Sequence, residues 1–213
     1  MRILLTNPTC LLDEILEGES HLNRYVGWLN TPKYFGNFQR YTDYDPSMPI
    51  AIDNCAYSGF KSNRYQALIN KIDVPIEWIA APDVVGDAET TSILFKYWYP
   101  ELEGLPLAYV AQDGAERLSL PWSQFRCLFI GGTTEWKLSP AAAYLARKAK
   151  RFGKLVHMGR VNSDMRLRYA YDLGCDSVDG TGYQRFSKYH LKKALHFMHG
   201  LHNQLTLIGE RVI

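Results

Sequence analysis

Acidic residues follow several short apolar segments of this 213-residue chain. Asp53 ends the segment PIAID, and Asp179 ends the segment CDSVD. A carboxylate at the end of a buried strand must be solvated or hydrogen-bonded by its surroundings, which makes it an expensive structural residue. Two carboxylates at one site can exchange a group at a sugar carbon, because one attacks the anomeric carbon while the other donates and accepts protons. Asp179 and Asp53 are therefore the candidate catalytic pair.

Residues suited to binding a flat polar ligand follow other apolar segments. Asp83 follows IAAP and Gln112 follows LAYVA, and together they offer an acceptor and an amide to the N–H and C=O edge of a purine. The pair Gly131-Gly132 follows CLFI, where missing side chains let the backbone approach a ligand closely. Taken singly, each acid also fits an ordinary structural role, as a loop cap, a turn residue or the residue before a helix.

Two neighbours of these residues are interpreted structurally. Asp176 is expected to accept backbone N–H bonds beside Asp179, although an exchange of roles between the two acids stays open. His157 precedes Met158 on a predicted strand and should point away from it, as a buried, hydrogen-bonded histidine.

Apolar segments alternate with helical patterns along the chain. The predicted strands are Arg2–Thr6, Tyr34–Gln39, Pro49–Ile52, Ile76–Ala81, Leu107–Ala111, Cys127–Ile130, Leu155–Met158 and Asp176–Val178. The predicted helices are Arg64–Lys71, Asp87–Tyr99, Ser139–Phe152, Ser163–Gly174 and Ser187–His202. A further helical periodicity runs from Glu14 to Leu29, with a break near Gly18, and Pro32 stops it.

Alternating strands and helices are typical of parallel β/α units, and eight strands favour a compact (β/α)8 barrel that occupies residues 1–213 as a single domain. The candidate site residues support this fold, since they fall at the carboxyl ends of strands. In a barrel those ends meet at one mouth. An open, doubly wound sheet is the alternative.

The composition is that of an ordinary globular protein, with 46% hydrophobic and 22% charged residues. The net charge of +2 neither requires nor excludes a nucleic-acid partner. The four cysteines are far apart and form no C-x-x-C pair, so reduced thiols are expected. No Cys/His spacing suits zinc, and we predict no metal site.

The ordered motifs IDNCAYSGF, APDVVGD, VAQDG, FIGGTTEWK, HMGRVNS and GCDSVDGTGY resemble those of the queuine tRNA-ribosyltransferase superfamily. They are most similar to its short DNA-modifying branch, the DpdA-type 7-deazaguanine DNA transglycosylases of phages and genomic islands. The resemblance covers about Thr31 to Phe186. It implies the same (β/α)8 fold, without the zinc-binding insertion of the tRNA enzymes.

The resemblance also implies roles for individual residues. Asp179 would be the nucleophile, and Asp53 would be the general acid/base. Asp83 would read the amidine edge of the purine, while Tyr57 and Met158 would lie on its two faces. The other base-binding positions that it implies are Asn54, Gln112, Gly131, Gly132 and Gly159.

The implied reaction has two steps and needs no cofactor. Asp179 displaces guanine to give a covalent glycosyl-enzyme, and a 7-deazaguanine such as preQ0 then attacks that intermediate. Water must be excluded, because hydrolysis would leave an abasic site. The implied partners are guanine-containing DNA and the free base. Contacts with the nucleic-acid backbone are predicted for Arg160, Arg185, Lys188, Lys192 and Lys193.

Two departures from the tRNA enzymes favour DNA as the polymer. Their C-x-C-x-x-C…His zinc insertion is missing, and their segment TRNAR after the nucleophile is replaced by GTGYQRF. The same exchange on tRNA, a nucleoside N-glycosidase, and a non-catalytic base-binding subunit with a companion protein stay open, as does a homodimer. No apolar run approaches the roughly 18 residues of a membrane span, so a cytoplasmic protein is expected, in the host cytoplasm if a phage encodes it.

Overall fold

The structure is a computed structural model that describes residues 1–6, 12, 17–33, 38–185 and 187–209. Within these ranges, the side chains of residues 39–40, 184–185, 187–188 and 204–209 are not described. No helix in the described ranges combines the length and the apolar character needed to cross a membrane.

Eight parallel strands close into a barrel in chain order, which confirms the predicted (β/α)8 fold. The strands are β1 Arg2–Leu5, β2 Val26–Asn30, β3 Ile50–Ile52, β4 Trp78–Ala80, β5 Leu107–Ala111, β6 Cys127–Ile130, β7 Leu155–Met158 and β8 Ser177–Asp179. The ring closes where β8 pairs with β1, with Asp179 opposite Leu4. The candidate nucleophile therefore lies at the seam between the two ends of the barrel.

Helices lie between most of the strands. The α-helices in the described ranges are α1 Phe38–Tyr44, α2 Ser62–Ile69, α3 Ala88–Leu102, α4 Thr134–Lys137, α5 Pro140–Arg151, α6 Asp164–Asp172, α7 Gly182–Arg185 and α8 Ser187–Gly209, and short 3-10 helices lie at Ser20–Tyr25, Ala56–Ser58 and Ala115–Arg117. Ser139 and Ser163 cap α5 and α6 by accepting bonds from backbone N–H groups, as their positions before each helix predict.

Side chains alternate between the two faces of the barrel wall, as the pleat requires. The inward-facing apolar residues form one cluster: Leu4, Leu29, Ala51, Trp78, Ala80, Ala108, Val110, Cys127 and Phe129. Alanines on β3, β4 and β5 leave space for the rings of Trp78 and Phe129, whose centroids are 5.7 Å apart. The outward-facing residues pack beneath the helices in a second, larger cluster.

The second strand was predicted at the wrong place. It is Val26–Asn30, which overlaps the end of the segment Glu14 to Leu29 whose periodicity predicted a helix. Residues 38–44 form α1, and residues 34–37 of the predicted strand lie outside the described ranges. Every residue of β2 is buried, and an apolar run buried on both faces cannot be distinguished from a buried helix by periodicity.

Two helix ends also differ from prediction. Pro100 does not interrupt α3, which continues to Leu102. A proline in the last turn removes only one hydrogen bond, and the helix ends soon after it. The last helix, α8, continues beyond His202 to Gly209.

Candidate active site

One pocket, with about 490 Å³ of empty space, opens at the carboxyl ends of the strands. Most of the predicted site residues line it, namely Asp53, Asn54, Tyr57, Asp83, Gln112, Gly131, Gly159, Arg160 and Asp179. Its apolar lining includes Leu29, Val85, Val110 and Phe129. The structure therefore brings both candidate catalytic acids and the candidate purine-edge residues to one mouth.

Asp179 lies at the end of β8 and is held by two donors. His157 Nε2 lies 3.0 Å from its Oδ2, and the backbone N–H of Arg160 donates to its Oδ1 at 3.0 Å. Burial alone would raise the pKa of Asp179, but its bond to His157 and the charges of His157 and Lys137 outweigh burial and hold the pKa below its ordinary value. Asp179 is thus ionised near neutral pH, as a nucleophile requires.

Asp53 follows β3 and has the opposite electrostatic environment. Burial raises its pKa to about 7, and the nearby charges of Asp179 and Asp83 act in the same direction. Its Oδ2 accepts a long bond, 3.3 Å, from the backbone N–H of Cys55. A carboxyl group with a pKa near 7 can both give and take a proton at neutral pH, so Asp53 suits acid/base chemistry.

A hydrogen-bond network fixes Asp83 in the pocket wall. Its two carboxylate oxygens accept from Asn54 Nδ2 at 2.7 Å and from Gln112 Nε2 at 2.6 Å. Gln112 Oε1 in turn accepts the backbone N–H groups of Gly86 and Gly132, each at 2.9 Å. Asp83 is 8% exposed, and burial raises its pKa to about 6 despite these bonds. Each of its oxygens keeps a lone pair for a donor on a ligand.

Two inward-facing glycines keep the pocket open. A Cβ on Gly131 would lie 2.6 Å from Gln112 Nε2, and a Cβ on Gly159 would lie 2.6 Å from the ring of Phe129. Gly132 does not line the pocket. Its contribution is a backbone hydrogen bond: at a φ of +40°, the N–H of Gly132 donates to Gln112 Oε1.

Arg160 lies in the pocket wall and is not simply a surface cation. Its φ of 59° is in the left-handed region, and its guanidinium donates to the carbonyl groups of Gly131 and Gly132. The guanidinium also lies over the ring of Tyr57, 4.4 Å from the centroid. The Tyr57 side chain is 71% exposed, so its other face is open to a ligand.

Met158 is not where the resemblance implied. It is 1% exposed and belongs to the outer cluster beneath the helices, because its neighbours face inward, His157 on β7 and Gly159 directly after the strand. The expected place of Met158 beside a bound base is wrong. Phe129, which sequence reasoning missed, lines the pocket from β6.

Two buried cationic or polar side chains near Asp179 were not predicted as site residues. His157 is buried and hydrogen-bonded as expected, but its bonds join Ser177 Oγ at 2.9 Å to Asp179 at 3.0 Å. Lys137 donates to the carbonyl of Gly159 at 2.6 Å, and burial lowers its pKa to about 8. The two-residue period of β7 could have placed His157 on the same face as Gly159, whereas nothing in the sequence singles out Lys137.

The remaining predicted residues lie elsewhere. Asp176 is structural, since it accepts from the backbone N–H of Val156 at 2.7 Å and pairs with Lys150 at 2.8 Å. Lys192 and Lys193 pair with Glu19 and Asp164. The side chains of Arg185 and Lys188, which were predicted to contact the nucleic-acid backbone, lie outside the described part of the chain. Among the described residues, no cluster of histidines, cysteines and acids is arranged to hold a metal ion.

Fold and site together define a (β/α)8-barrel protein with paired acids and a polar recognition network at its mouth. No protein-family model and no curated protein matches the chain. A functional assignment therefore depends on the chemistry of the site.

Proposed function

We propose that this protein exchanges guanine in DNA for a 7-deazaguanine base such as preQ0, through a covalent aspartyl-glycosyl intermediate. The observation that carries the proposal is the opposite displacement of two pKa values in one pocket. Burial raises that of Asp53 to about 7, while bonds and charges hold that of Asp179 low. With this difference, Asp53 can keep a proton to donate as the acid while Asp179 stays ionised as the nucleophile.

In the first step, a carboxylate oxygen of Asp179 attacks C1′ of the guanosine while the bond from C1′ to the base breaks. Asp53, protonated, gives its proton to the departing guanine. In the second step, Asp53 takes a proton from the incoming base as that base attacks C1′ and releases Asp179. One glycosidic bond is exchanged for another, so no energy source is consumed.

The recognition network suits the base that both steps share. Guanine and 7-deazaguanines present the same N–H donors along one edge, and the free lone pairs of Asp83 can accept them. Phe129 and the open face of Tyr57 offer apolar surfaces to a flat ring. A network that Asn54 and Gln112 already hold in place gives up little freedom when the base binds.

The experiment that tests this proposal is nucleoside mass spectrometry. The protein is incubated with preQ0 and, in separate reactions, duplex DNA, single-stranded DNA or tRNA. We expect a deazaguanine deoxynucleoside from DNA, and Asp179→Asn should lower its formation by at least about 10³-fold because the nucleophile is lost. The matched control is Asp172→Asn, which changes an exposed acid whose Arg168 pair is of the weak surface kind.

Other outcomes would replace the proposal. Exchange into tRNA alone would make the protein a tRNA-guanine transglycosylase. Abasic product without added preQ0 would make it an N-glycosidase. No exchange with any polymer would favour a base-binding subunit that needs a companion protein, and full activity in Asp179→Asn would contradict the assignment of the nucleophile.

A further inference from the structure

A second cavity, of about 510 Å³, lies beside the mouth of the barrel. Its lining includes the cationic side chains of Lys33, Lys61 and Arg64, together with Cys55 and Ser58. No carboxylate among the described residues lines it. The three cations make this cavity a basic groove, a name we keep for it below.

The basic groove and the base pocket share one wall, the loop of residues 54–58 that follows β3. Asn54, Ala56 and Tyr57 line the pocket, whereas Cys55 and Ser58 line the groove. Cys55 has a φ of 64°, in the left-handed region, and lies at the turn where residues of the loop begin to face opposite sides. A polymer with one nucleotide in the pocket would therefore have its neighbouring nucleotides within reach of the groove.

The charges of Lys61 and Arg64 are unfavourable without an anion. Lys61 is the N-cap residue of α2, and both Lys61 and Arg64 line the groove, so these two cations lie at the positive end of the helix dipole. Cations at a helix N-terminus are destabilised, whereas anions are stabilised there. Neither Lys61 nor Arg64 has an ion-pair partner among the described residues.

We propose that the basic groove binds the phosphodiester backbone of the single-stranded segment that flanks the exchanged guanosine. This inference rests on the proposed function for its ligand, a DNA strand. The inference assigns binding of the nucleic-acid phosphates to Lys61 and Arg64, which the sequence did not single out. By contrast, Lys192 and Lys193, which were predicted to bind phosphate, have carboxylate partners at 2.6 Å and 2.5 Å.

The test measures binding of a labelled single-stranded guanine-containing oligonucleotide by fluorescence anisotropy, from 50 to 300 mM salt. Each phosphate contact contributes about 0.7 to the slope of log affinity against log salt for a single strand. The double variant Lys61→Gln/Arg64→Gln should therefore flatten the slope by about 1.4 and weaken binding at low salt about tenfold or more. The charge-conserving variant Lys61→Arg/Arg64→Lys should keep most of the slope.

A matched control removes two exposed cations away from the groove, with Lys96→Gln on α3 and Arg151→Gln at the end of α5. We expect it to keep the slope and affinity of the parent protein. An unchanged slope in Lys61→Gln/Arg64→Gln would overturn the inference, and so would an equal loss in the control. Thermal unfolding of each variant shows whether the fold is retained.

The binding measurement does not depend on base exchange, which separates the two proposals. Base exchange together with an unchanged salt slope would refute the groove and leave the function standing. A flattened slope in a protein that exchanges no base would support the groove and refute the function.

Discussion

His157 does not line the pocket, but it holds the side chain of Asp179, which does. It is fully buried, and its ring packs against Trp78 and Phe129, with centroids 4.7 Å and 4.5 Å away. A carboxylate only accepts hydrogen bonds, so Nε2 must donate to Asp179. Its other ring nitrogen, Nδ1, lies 2.9 Å from the hydroxyl of Ser177, so hydrogen bonds hold both sides of the ring. His157 is thus a positioning residue for the proposed nucleophile.

We predict that His157→Phe lowers the rate of covalent adduct formation about 10²-fold and shifts the acid limb of its pH profile to higher pH. The reason is that Asp179 loses its main donor, so its pKa rises. His157→Gln, which retains a side-chain N–H, should restore part of the rate. The measurement is single-turnover adduct formation between pH 4 and 8. An unshifted acid limb in His157→Phe would mean that His157 only fills space.

The residues of the site were predictable to different degrees. Asp53, Gln112 and Asp179 come directly at or after strand ends, and the ends of parallel strands converge. The direction of a side chain is harder to predict, because moving a strand by one residue reverses its faces. Met158 was expected in the pocket because of the resemblance, whereas its outward direction and the inward direction of His157 were found in the structure.

At the scale of elements, the ends of β5 and β6 act as a unit. Gly131 follows β6, and a Cβ there would lie 2.6 Å from Gln112 Nε2 and 2.8 Å from Val110 Cγ1. Gln112 cannot move freely, because it bonds to Asp83 and to two backbone N–H groups. The glycine is therefore required by the recognition network of the neighbouring strand.

We predict that Gly131→Ala raises KM for the free base about tenfold or more, with a smaller change in kcat, because Gln112 is displaced from Asp83. It should also destabilise the fold by about 1–3 kcal/mol, as overpacking does. Steady-state kinetics and urea unfolding measure both effects. The control is Gly200→Ala in α8, where a Cβ meets nothing within 4 Å. An unchanged KM in Gly131→Ala would contradict the role of the network.

Strand β2 was less predictable than the other strands. Strands β3 to β8 follow the apolar segments of the sequence, whereas β2 contains Gly27 and no polar residue before Asn30. Gly27 is needed there because a Cβ would lie 2.7 Å from Leu4 and 2.9 Å from Pro49. That requirement comes from strands on either side of β2 and cannot be recognised in its local sequence.

At the scale of the whole molecule, the buried carboxyl group of Asp53 lowers stability at neutral pH. Burial raises the pKa of Asp53 from 3.8 to about 7. Between these pH values the unfolded chain has lost this proton while the folded chain keeps it, so the free energy of unfolding falls as pH rises. Above pH 7, Asp53 is ionised in both the folded and the unfolded chain, and the free energy of unfolding falls no further on its account. A fold that carries this acid is therefore less stable at neutral pH than its packing alone would allow.

We predict that Asp53→Asn abolishes base exchange but raises the free energy of unfolding at pH 8. The gain should be about 2 kcal/mol, roughly half of the ~4 kcal/mol that corresponds to the whole pKa difference, because the pocket is open to solvent. Urea unfolding at pH 8 measures the gain, and the same experiment at pH 5, where Asp53 is protonated, is the control. An equal difference at both pH values would refute the raised pKa.

The wall between the base pocket and the basic groove is one loop of five residues, 54–58. On the proposed function, a strand crossing this wall would be held by its phosphates beside one extruded guanosine. Phosphate contacts carry no sequence information. The density of replaced guanines along a DNA molecule would then depend on the amounts of enzyme and free base, and not on the nucleotide sequence around each guanine.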